Sequence, residues 1–407
     1  MTFDDVLGDL DRRTGRGWRL SLEGVRKTLG RLGEPTYPVV LVAGTNGKGT
    51  VAFLLSEMLR RFGFRVGLAT SPHLRDVRER VLIDGKMPDR GTFARAYRRF
   101  AEADEDRATY FEAVALTTHL LFQDGGIDAA VIEIGLGGRL DAFNAWDPAV
   151  SVVTNVSREH TKYLGKTLEE IAREKVAVSR LGRPLILGSD AKALREAAAE
   201  TGARVFIACN DVSRGFEAKR TGEERPRPGW ENFATARRAA EEFCKALEIP
   251  IDEAVIRQVR DDYCAGRLIW PGRFQILEGR PTILIDAAHN PGAAHYLAAR
   301  LRLSFPEKPV TALAGFLEDK DAAGFVQAFD SLVTRWIITR PPSPRGTLPR
   351  ALPVSNIFWE EDPFRALELA RAEAVRTDSL LLVTGSLYLL GLLWEELTGG
   401  APFSGDP

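Results

Sequence analysis

The 407-residue chain has few cysteines and almost no net charge. Its three cysteines, Cys209, Cys244 and Cys264, are too few for a disulfide framework and lack the CxxC spacing of metal sites. Lys and Arg total 55 and Asp and Glu total 56, so the chain has no overall field that attracts nucleic acid or an anionic membrane. We therefore expect a protein of a reducing compartment with no nucleic-acid partner.

Long apolar runs are missing as well. The longest, from Leu380 to Trp394, is interrupted by polar residues and falls short of the roughly 18–20 apolar residues of a membrane span. The N-terminus, MTFDDVLGDLDRR, is acidic and has no apolar core of a signal peptide. These absences predict a cytoplasmic protein without a membrane partner.

Short apolar runs alternate with segments of helical period along most of the chain. Strands are predicted at 38–43, 65–70, 129–134, 150–156 and 184–188, and again at 282–286, 309–314, 335–339 and 380–383. Helices are predicted at 49–62, 111–122, 167–179, 231–247, 251–259, 291–303, 319–332 and 364–375. This alternation indicates an α/β fold with parallel strands and helices on both faces of the sheet.

The alternation stops and restarts once. Residues 210–230 are charged, carry Gly and Pro, and show no period, so we interpret them as a surface excursion. After Trp270-Pro271-Gly272 the strand–helix order begins again. We expect a first domain over 1–272, a hinge at 273–280 and a smaller second domain over 281–407.

A glycine-rich loop joins the first predicted strand to a helix, with the sequence Gly44-Thr45-Asn46-Gly47-Lys48-Gly49-Thr50. A loop of this kind binds phosphate through backbone N–H groups and the helix dipole. Lys48 would neutralise the β- and γ-phosphates, and the Thr50 hydroxyl suits Mg²⁺ or a phosphate oxygen. The loop departs from the common P-loop pattern, because Val42 replaces its first Gly and Gly49 separates Lys48 from Thr50.

A second glycine cluster, Gly135-Leu136-Gly137-Gly138-Arg139-Leu140, also follows a strand. Its sixth residue is Leu140, so the dinucleotide fingerprint G-x-G-x-x-G is not met and hydride transfer is disfavoured.

Two residues near these loops carry chemistry of their own. Glu133 ends an apolar strand, where its carboxylate would face the ligand crevice of an open sheet, although a solvated strand end is the alternative. Lys175 shares a helix face with Leu168, Ile171 and Ala172, on a helix opened by the capping box of Thr167 and Glu170. Burial on that face would lower the pKa of Lys175, unless its amine reaches solvent at the edge of the stripe.

Together, segments along the chain resemble the folylpolyglutamate synthase/dihydrofolate synthase family of the Mur ligase superfamily. They occur in family order: VAGTNGKGT (42–50), SPHLRDVRERVLIDG (71–85), YFE (110–112), EIGLGGRLDAFN (133–144), REHTKYLGKTLEEIAREKVAV (158–178), WPGRFQ (270–275), LIDAAHNPGAA (284–294), GFLEDKD (315–321) and VTGSLYLLG (383–391). The resemblance implies a P-loop-containing, Mur-ligase-like ATPase domain with a mainly parallel sheet, followed by a smaller Rossmann-like α/β domain.

The resemblance also implies a set of ATP and metal residues. Mg²⁺, expected as two ions, would be held by Ser71, Glu133 and His160. ATP would contact residues 44–50, Asn232, Arg273 and Asp286. The family lysine at position 175 is carbamylated, so Lys48, Lys175 and His160 are the expected catalytic residues.

The substrates implied are ATP, L-glutamate and a folate or dihydropteroate, and the enzyme implied is a monomer of folate and one-carbon metabolism. Arg80, His289 and Ser386 match glutamate positions, and Tyr110, Phe111 and Asp141 match the pteroate pocket. An aromatic pair can stack a flat heterocycle and a carboxylate can accept its N–H donors, but the aromatics fit a core equally well. Asp286 and Asn290 could instead be simple helix caps.

This constellation predicts ATP-dependent amide formation through an acylphosphate, without a protein nucleophile. Dihydrofolate synthase and folylpolyglutamate synthase activities are both expected. Two alternatives stay open at this point: a Mur-type ligase that adds an amino acid to a cell-wall precursor, and a nucleotide-binding regulator that has lost ligation. Glu159, where the family commonly has Asp beside His160, and a poorly matched run before Asn232 are departures from the family pattern.

Overall fold

The computed structural model describes residues 1–17, 21–208 and 229–400. Packing divides these residues into two compact units. The first holds 1–208 together with Trp230–Asp261, and the second holds Gly229 and the residues from Asp262 onward. The division precedes the predicted hinge at 273–280, and residues 210–228 of the predicted excursion lie outside the described ranges.

The first unit is built on one seven-stranded sheet. Its strands are β1 Val39–Ala43, β2 Val66–Ala69, β3 Val81–Ile83, β4 Ala129–Glu133, β5 Val150–Val153, β6 Pro184–Leu187 and β7 Arg204–Ile207. The spatial order is β3-β2-β4-β1-β5-β6-β7, and every pairing is parallel except that of β2 with β3. β1, β2, β4, β5 and β6 are buried along their whole length, which explains their continuous apolar sequences.

Ten helices of the described residues belong to this unit or begin in it. They are α1 Phe3–Thr14, α2 Glu23–Leu32, α3 Lys48–Arg61, α4 Arg90–Ala103, α5 Tyr110–Asp124, α6 Thr161–Leu164, α7 Leu168–Val176, α8 Lys192–Ala199, α9 Trp230–Ala246 and α10 Glu253–Cys264. Capping boxes open α1, α5 and α7, where Thr2, Thr109 and Thr167 each accept an N–H bond from the third helical residue. The predicted capping box of Thr167 and Glu170 is therefore present.

A buried histidine connects α5 to the segment before β1. His119 Nε2 lies 2.7 Å from the carbonyl oxygen of Gly33, and its Nδ1 lies 2.9 Å from the Tyr37 hydroxyl. Since a carbonyl can only accept, Nε2 carries the proton and Nδ1 accepts from Tyr37. Burial lowers the pKa of His119 below its ordinary value of 6.5, so this neutral form is the one that the fold stabilises.

We expect the free energy of unfolding to decrease as pH falls below about 6.5, with His119 contributing at most about 1.4 kcal/mol per pH unit. The unfolded chain binds a proton at His119 near that pH, whereas the folded chain binds it only at the lowered pKa. Urea unfolding at several pH values should show that the free energy of unfolding depends less steeply on pH in His119→Gln than in wild type. The exposed His295 provides the matched control, His295→Gln, and an identical slope for wild type and His119→Gln would contradict the prediction.

The second unit has its own mixed sheet of seven strands. They are β8 Gln275–Leu277, β9 Ile283–Ile285, β10 Val310–Leu317, β11 Val333–Thr339, β12 Gly346–Thr347, β13 Ile357–Trp359 and β14 Leu380–Thr384. The order is β13-β11-β10-β14-β9-β8, with β12 paired antiparallel to β10 and β8 antiparallel to β9. The other pairings are parallel, and the helices are α11 Pro291–Ser304, α12 Ala322–Gln327, α13 Pro363–Arg376 and α14 Leu387–Thr398.

Two mostly parallel sheets, with α-helices between most of their parallel strands, confirm the predicted α/β class. The predicted helix at 319–332 was too long: α12 ends at Gln327, and a separate 3-10 turn occupies Asp330–Leu332. The predicted strand at 150–156 was also too long, because β5 ends at Val153. No helix in the described ranges combines the length and apolarity of a membrane span.

Candidate active site

The glycine loop lies where β1 ends at Ala43 and α3 begins at Lys48. Gly47 caps α3 with φ 81°, and Gly44 has φ 141°. A Cβ atom at Gly44 would lie 1.9 Å from Thr154 Oγ1, so this position has room only for glycine. The loop therefore leaves the N-terminal N–H groups of a 14-residue helix at the carboxyl edge of the sheet, which is the arrangement of a phosphate site.

Lys48 folds back over this loop. Its Nζ donates to the carbonyl oxygens of Gly44 and Thr45, both at 3.1 Å. These are bonds to neutral acceptors, which a phosphate oxygen can replace with stronger charge-assisted bonds.

Lys175, on α7, reaches the same carbonyl from a different part of the chain. Its Nζ donates to Gly44 O at 2.9 Å and to Glu159 Oε1 at 2.6 Å, and the residue is 0% exposed. Burial, together with the nearby charge of Lys48, lowers the pKa of Lys175 to about 8 although Glu159 opposes the change. Lys175 is thus buried and does not reach solvent at the edge of the helix face, whereas Leu168 at the start of that face is exposed.

Glu159 is a site residue without a predicted role; in the sequence it is only a departure from the Asp that the family commonly has beside His160. Burial would raise its pKa, but the charges of Lys175 and Lys48 outweigh burial and lower it. The carboxylate is therefore ionised beside two lysines. Its position next to His160 in a family segment could have indicated a site residue. Its contact with Lys175 could be seen only in the folded structure.

The expected metal residues include one buried carboxylate. Glu133 ends β4, is 5% exposed, and accepts the backbone N–H of Ser71 on Oε2 at 2.9 Å. Val42 of β1 is its partner in the sheet, so Glu133 lies at the same edge as the glycine loop. His160 is exposed at the N-cap of α6 with φ 44°. Across the described ranges, no three His, Cys, Asp or Glu side chains cluster as a ready metal site.

The second glycine cluster packs against α7 and an aromatic ring. A Cβ atom at Gly138 would lie 2.5 Å from the carbonyl oxygen of Glu174, and one at Gly135 would lie 2.6 Å from the Phe111 ring. Close packing explains these glycines, and through it the loop supports the helix that carries Lys175.

Asp141 organises that same loop. Its carboxylate accepts three backbone N–H groups, those of Gly135, Leu136 and Phe143, at 2.9–3.0 Å. Burial raises the pKa of Asp141 to about 7. The centres of the Phe111 and Phe143 rings are 5.7 Å apart in an edge-to-face contact. Because Phe143 donates its N–H to Asp141, Phe111, one of the aromatics predicted for the pteroate, lies beside the Asp141 loop.

Arg80 lies close to the other predicted pteroate residue. Its guanidinium is 5.5 Å from the centre of the Tyr110 ring, and its Nε donates to His73 Nδ1 at 2.8 Å. Arg80 is buried, so it is not the solvated charge that an isolated arginine would suggest.

Asn232 lies near the start of α9 and borders the glycine loop. A Cβ atom at Gly47 would lie 2.5 Å from Asn232 Oδ1. Asn232 thus lies beside the glycine loop, and its place among the nucleotide residues stays a prediction.

The remaining predicted residues lie in the second unit. Asp286 accepts the N–H groups of Phe274 and Ala288, both at 2.8 Å, and burial raises its pKa. It thereby joins the segment of Arg273 to the end of β9, whereas Asn290 is a helix cap, accepting the N–H of Ala293 at 2.8 Å. His289 Nδ1 lies 2.9 Å from Ala287 O, and Ser386 caps α14.

Comparison with known proteins agrees with this arrangement. The Mur ligase middle domain matches residues 42–223, and the Mur ligase glutamate ligase domain matches residues 272–387. The dihydrofolate synthase/folylpolyglutamate synthase of Escherichia coli is 35% identical over 93% of this chain and 91% of its own length. The chain belongs to this family. Its members are ATP-dependent glutamate ligases of folate biosynthesis.

Another relative of the family is longer. The probable bifunctional folylpolyglutamate synthase/dihydropteroate synthase of Haloferax volcanii is 34% identical over 90% of this chain, which spans 47% of that protein. The match therefore concerns about half of the Haloferax protein.

Solved structures of the family have the same fold. Escherichia coli FolC in complex with DHPP and ADP superposes with a TM-score of 0.87 at 31% identity, covering 98% of both chains. A bifunctional folylpolyglutamate synthase/dihydrofolate synthase with Mn, AMPPNP and L-glutamate bound gives a TM-score of 0.83 at 32% identity, again over 98% of both chains. The predicted order of a Mur-ligase-like ATPase domain and a second α/β domain is confirmed.

Proposed function

We propose that this enzyme uses ATP to join L-glutamate to the carboxylate of a folate or dihydropteroate, through an acylphosphate. The observation that carries the proposal is the convergence of Lys48 and Lys175 on the Gly44 carbonyl at the start of α3. Two lysines at a helix N-terminus suit a polyphosphate and the charge that develops on it.

The nucleotide would lie on the loop of residues 44–50. The N–H groups at the start of α3 would donate to its phosphates, and Lys48 would exchange its two carbonyl bonds for phosphate oxygens. Asn232, Arg273 and Asp286 are the further nucleotide residues of the proposal.

The residues at this edge of the sheet fit a divalent cation such as Mg²⁺. Glu133 offers a buried carboxylate, and Ser71 and Thr50 offer hydroxyls, which are the hard oxygen donors that Mg²⁺ prefers. Ser71, Glu133 and His160 are proposed to hold it, as two ions in the full complex. Bound there, the cation would supply neutralisation of phosphate charge.

Lys175 is proposed to carry a carbamate. A pKa of about 8 leaves a fraction of the amine neutral near neutral pH, and only the neutral amine attacks CO₂. The ammonium first loses one proton; the neutral nitrogen then forms a bond to the CO₂ carbon, one C=O π bond opens to give a carboxylate oxygen, and the nitrogen loses a second proton. Loss of two protons in all turns a cation into an anion. The product would add oxygen donors next to Glu159 at the metal-holding edge.

The reaction balances in two steps. A carboxylate oxygen of the pteroate or folate attacks the γ-phosphorus of ATP, the bond to the β-phosphate oxygen breaks, and ADP leaves. The amino nitrogen of glutamate then attacks the acyl carbon, phosphate leaves, and the nitrogen loses a proton. Lys48 and the loop N–H groups would stabilise the negative charge of the first step.

The acceptor and donor residues follow the family pattern. Tyr110, Phe111 and Asp141 are proposed to bind the pteroate part, supported by the proximity of Phe111 to the Asp141 loop. Arg80, His289 and Ser386 are proposed for glutamate. A monomer in the cytoplasm and the domain limits 1–272 and 281–407 remain predictions from the sequence.

Phosphate release from Mg-ATP and glutamate tests the function, with dihydropteroate and tetrahydrofolate supplied separately. We expect turnover with both acceptors, none without an acceptor, and none without glutamate. The Lys48→Ala variant controls for contaminating ATPases. Turnover with tetrahydrofolate alone would restrict the enzyme to chain extension, and silence with both acceptors would refute the proposal.

A further inference from the structure

We propose that Asn155 is a positioning residue for nucleotide binding, which acts by fixing the peptide groups of Asn46 in the phosphate loop. The inference rests on the proposed function, because it concerns the same ATP site. Asn155 is not among the residues that the family resemblance implies.

One side-chain amide of Asn155 pairs with both backbone groups of Asn46. Its Oδ1 accepts the N–H of Asn46 at 3.0 Å, and its Nδ2 donates to the carbonyl oxygen of Asn46 at 2.9 Å. Two bonds from a planar amide fix the orientation of the peptide groups on both sides of Asn46.

Neighbours of Asn155 hold the same stretch of loop. Thr154 Oγ1 donates to the Asn46 carbonyl at 2.7 Å, and the carbonyl of Asn155 accepts the N–H of Thr45 at 3.1 Å. The Ser157 N–H donates to Thr45 Oγ1, also at 3.1 Å. The segment from Thr154 to Ser157, here called the loop brace, thus holds Thr45 and Asn46 through these bonds, and the Thr154 N–H also donates to the Ala43 carbonyl at 2.9 Å.

Sheet register explains why the loop brace lies there. Ala43, the last residue of β1, is paired with Val153, the last residue of the parallel strand β5. Both strands therefore end at the same edge, and the chain that leaves β5 runs beside the chain that leaves β1. β5 ends earlier than its apolar sequence predicts, and the next residue, Thr154, turns its hydroxyl to the loop.

The consequence for binding follows from where Asn46 lies. The next residue, Gly47, caps α3, and the free N–H groups that face an anion begin there. Asn46 donates its own N–H to Asn155 and therefore not to a phosphate. Its fixed peptide groups set the direction of the N–H groups that follow, from Gly47 onward. Without the loop brace, nucleotide binding would have to order the loop, and the entropy lost in that ordering would weaken binding.

Isothermal titration of each variant with Mg-ADP tests the assignment. For Asn155→Ala we expect the Kd to rise roughly 10- to 100-fold, because the loop amides lose their fixed direction. For Thr154→Val, which keeps the shape and removes one donor, we expect a rise of about threefold. In turnover assays, the KM for ATP should rise while the KM for glutamate stays within about twofold.

Ser151→Ala is the matched control for a purely structural effect. Ser151 is buried on β5 itself, and its hydroxyl donates to the Val178 carbonyl at 2.8 Å, away from the loop. We expect Ser151→Ala to lower the Tm about as much as Asn155→Ala and to leave the Kd for ADP unchanged. Wild-type Kd values for Asn155→Ala and Thr154→Val would overturn the assignment. If wild type itself does not bind ADP, the proposed function fails first.

Discussion

Replacement of Lys48 with alanine is expected to reduce turnover of ATP by about 10²–10³-fold, the cost typical of losing one positioned charge donor in a transition state. The reason is that Lys48 is already folded over the loop, 3.1 Å from two carbonyl oxygens, and needs little rearrangement to meet a phosphate. Steady-state kinetics with saturating glutamate and acceptor would measure the loss in kcat and in kcat/KM for ATP.

The control for Lys48→Ala is an exposed lysine of the same unit. Lys192 lies at the start of α8 with 80% of its side chain exposed, and Lys192→Ala should retain wild-type kinetics. A Lys48→Ala enzyme that keeps more than about a tenth of wild-type kcat would show that the loop amides carry most of the phosphate charge without this side chain.

The second large effect is expected at Lys175. Lys175→Met preserves the length of the chain but removes the amine, and we expect kcat to fall by about 100-fold or more because no carbamate can form. Wild-type enzyme prepared without CO₂ should lose activity and regain it when bicarbonate is added, whereas Lys175→Met should not respond. Carbon-13 NMR with labelled bicarbonate should show a carbamate signal in wild type only.

Labelling of Lys175 by carbon-13 bicarbonate should become faster as pH rises. The neutral fraction of Lys175 increases as pH rises through its pKa of about 8, so the rate of carbamate formation should increase between pH 6 and pH 8. If CO₂ has no effect, and Glu159→Gln costs as much activity as Lys175→Met, then the working form is the ammonium paired with Glu159.

Much of this site follows from residue order alone. The strand, glycine loop and helix at 38–62 depend only on residues near one another in the chain. The residues that mark a phosphate site all lie between Gly44 and Thr50, so the sequence predicts this part well. The capping box of Thr167 likewise predicts the start of α7 and places Lys175 on its apolar face, but the choice between burial and an amine at the edge of that face needed the structure, which shows Lys175 buried.

Other contacts depend on register between distant strands and could not be predicted. Asn155 lies within the run at 150–156 that predicts a strand, and nothing local in the sequence indicates that β5 ends beside β1. Asp141 was predicted as a ligand for the pteroate, but its three bonds to backbone N–H groups come from the turn geometry of the glycine cluster. Such polar contacts are long-range or conformation-dependent, so a pattern of residue types does not contain them.

The Gly44 carbonyl receives both Lys48 and Lys175, which makes the two lysines neighbours in charge as well as in space. The charge of Lys48 is one of the causes that lower the pKa of Lys175. With the carbamate proposed at Lys175, nucleotide phosphate that draws Lys48 to itself would change the affinity of Lys175 for CO₂. Thermodynamic linkage makes this coupling reciprocal: the factor by which bound ATP alters carbamylation equals the factor by which carbamylation alters the affinity for ATP. For the proposed carbamylated enzyme, CO₂ and ATP would then act on one equilibrium.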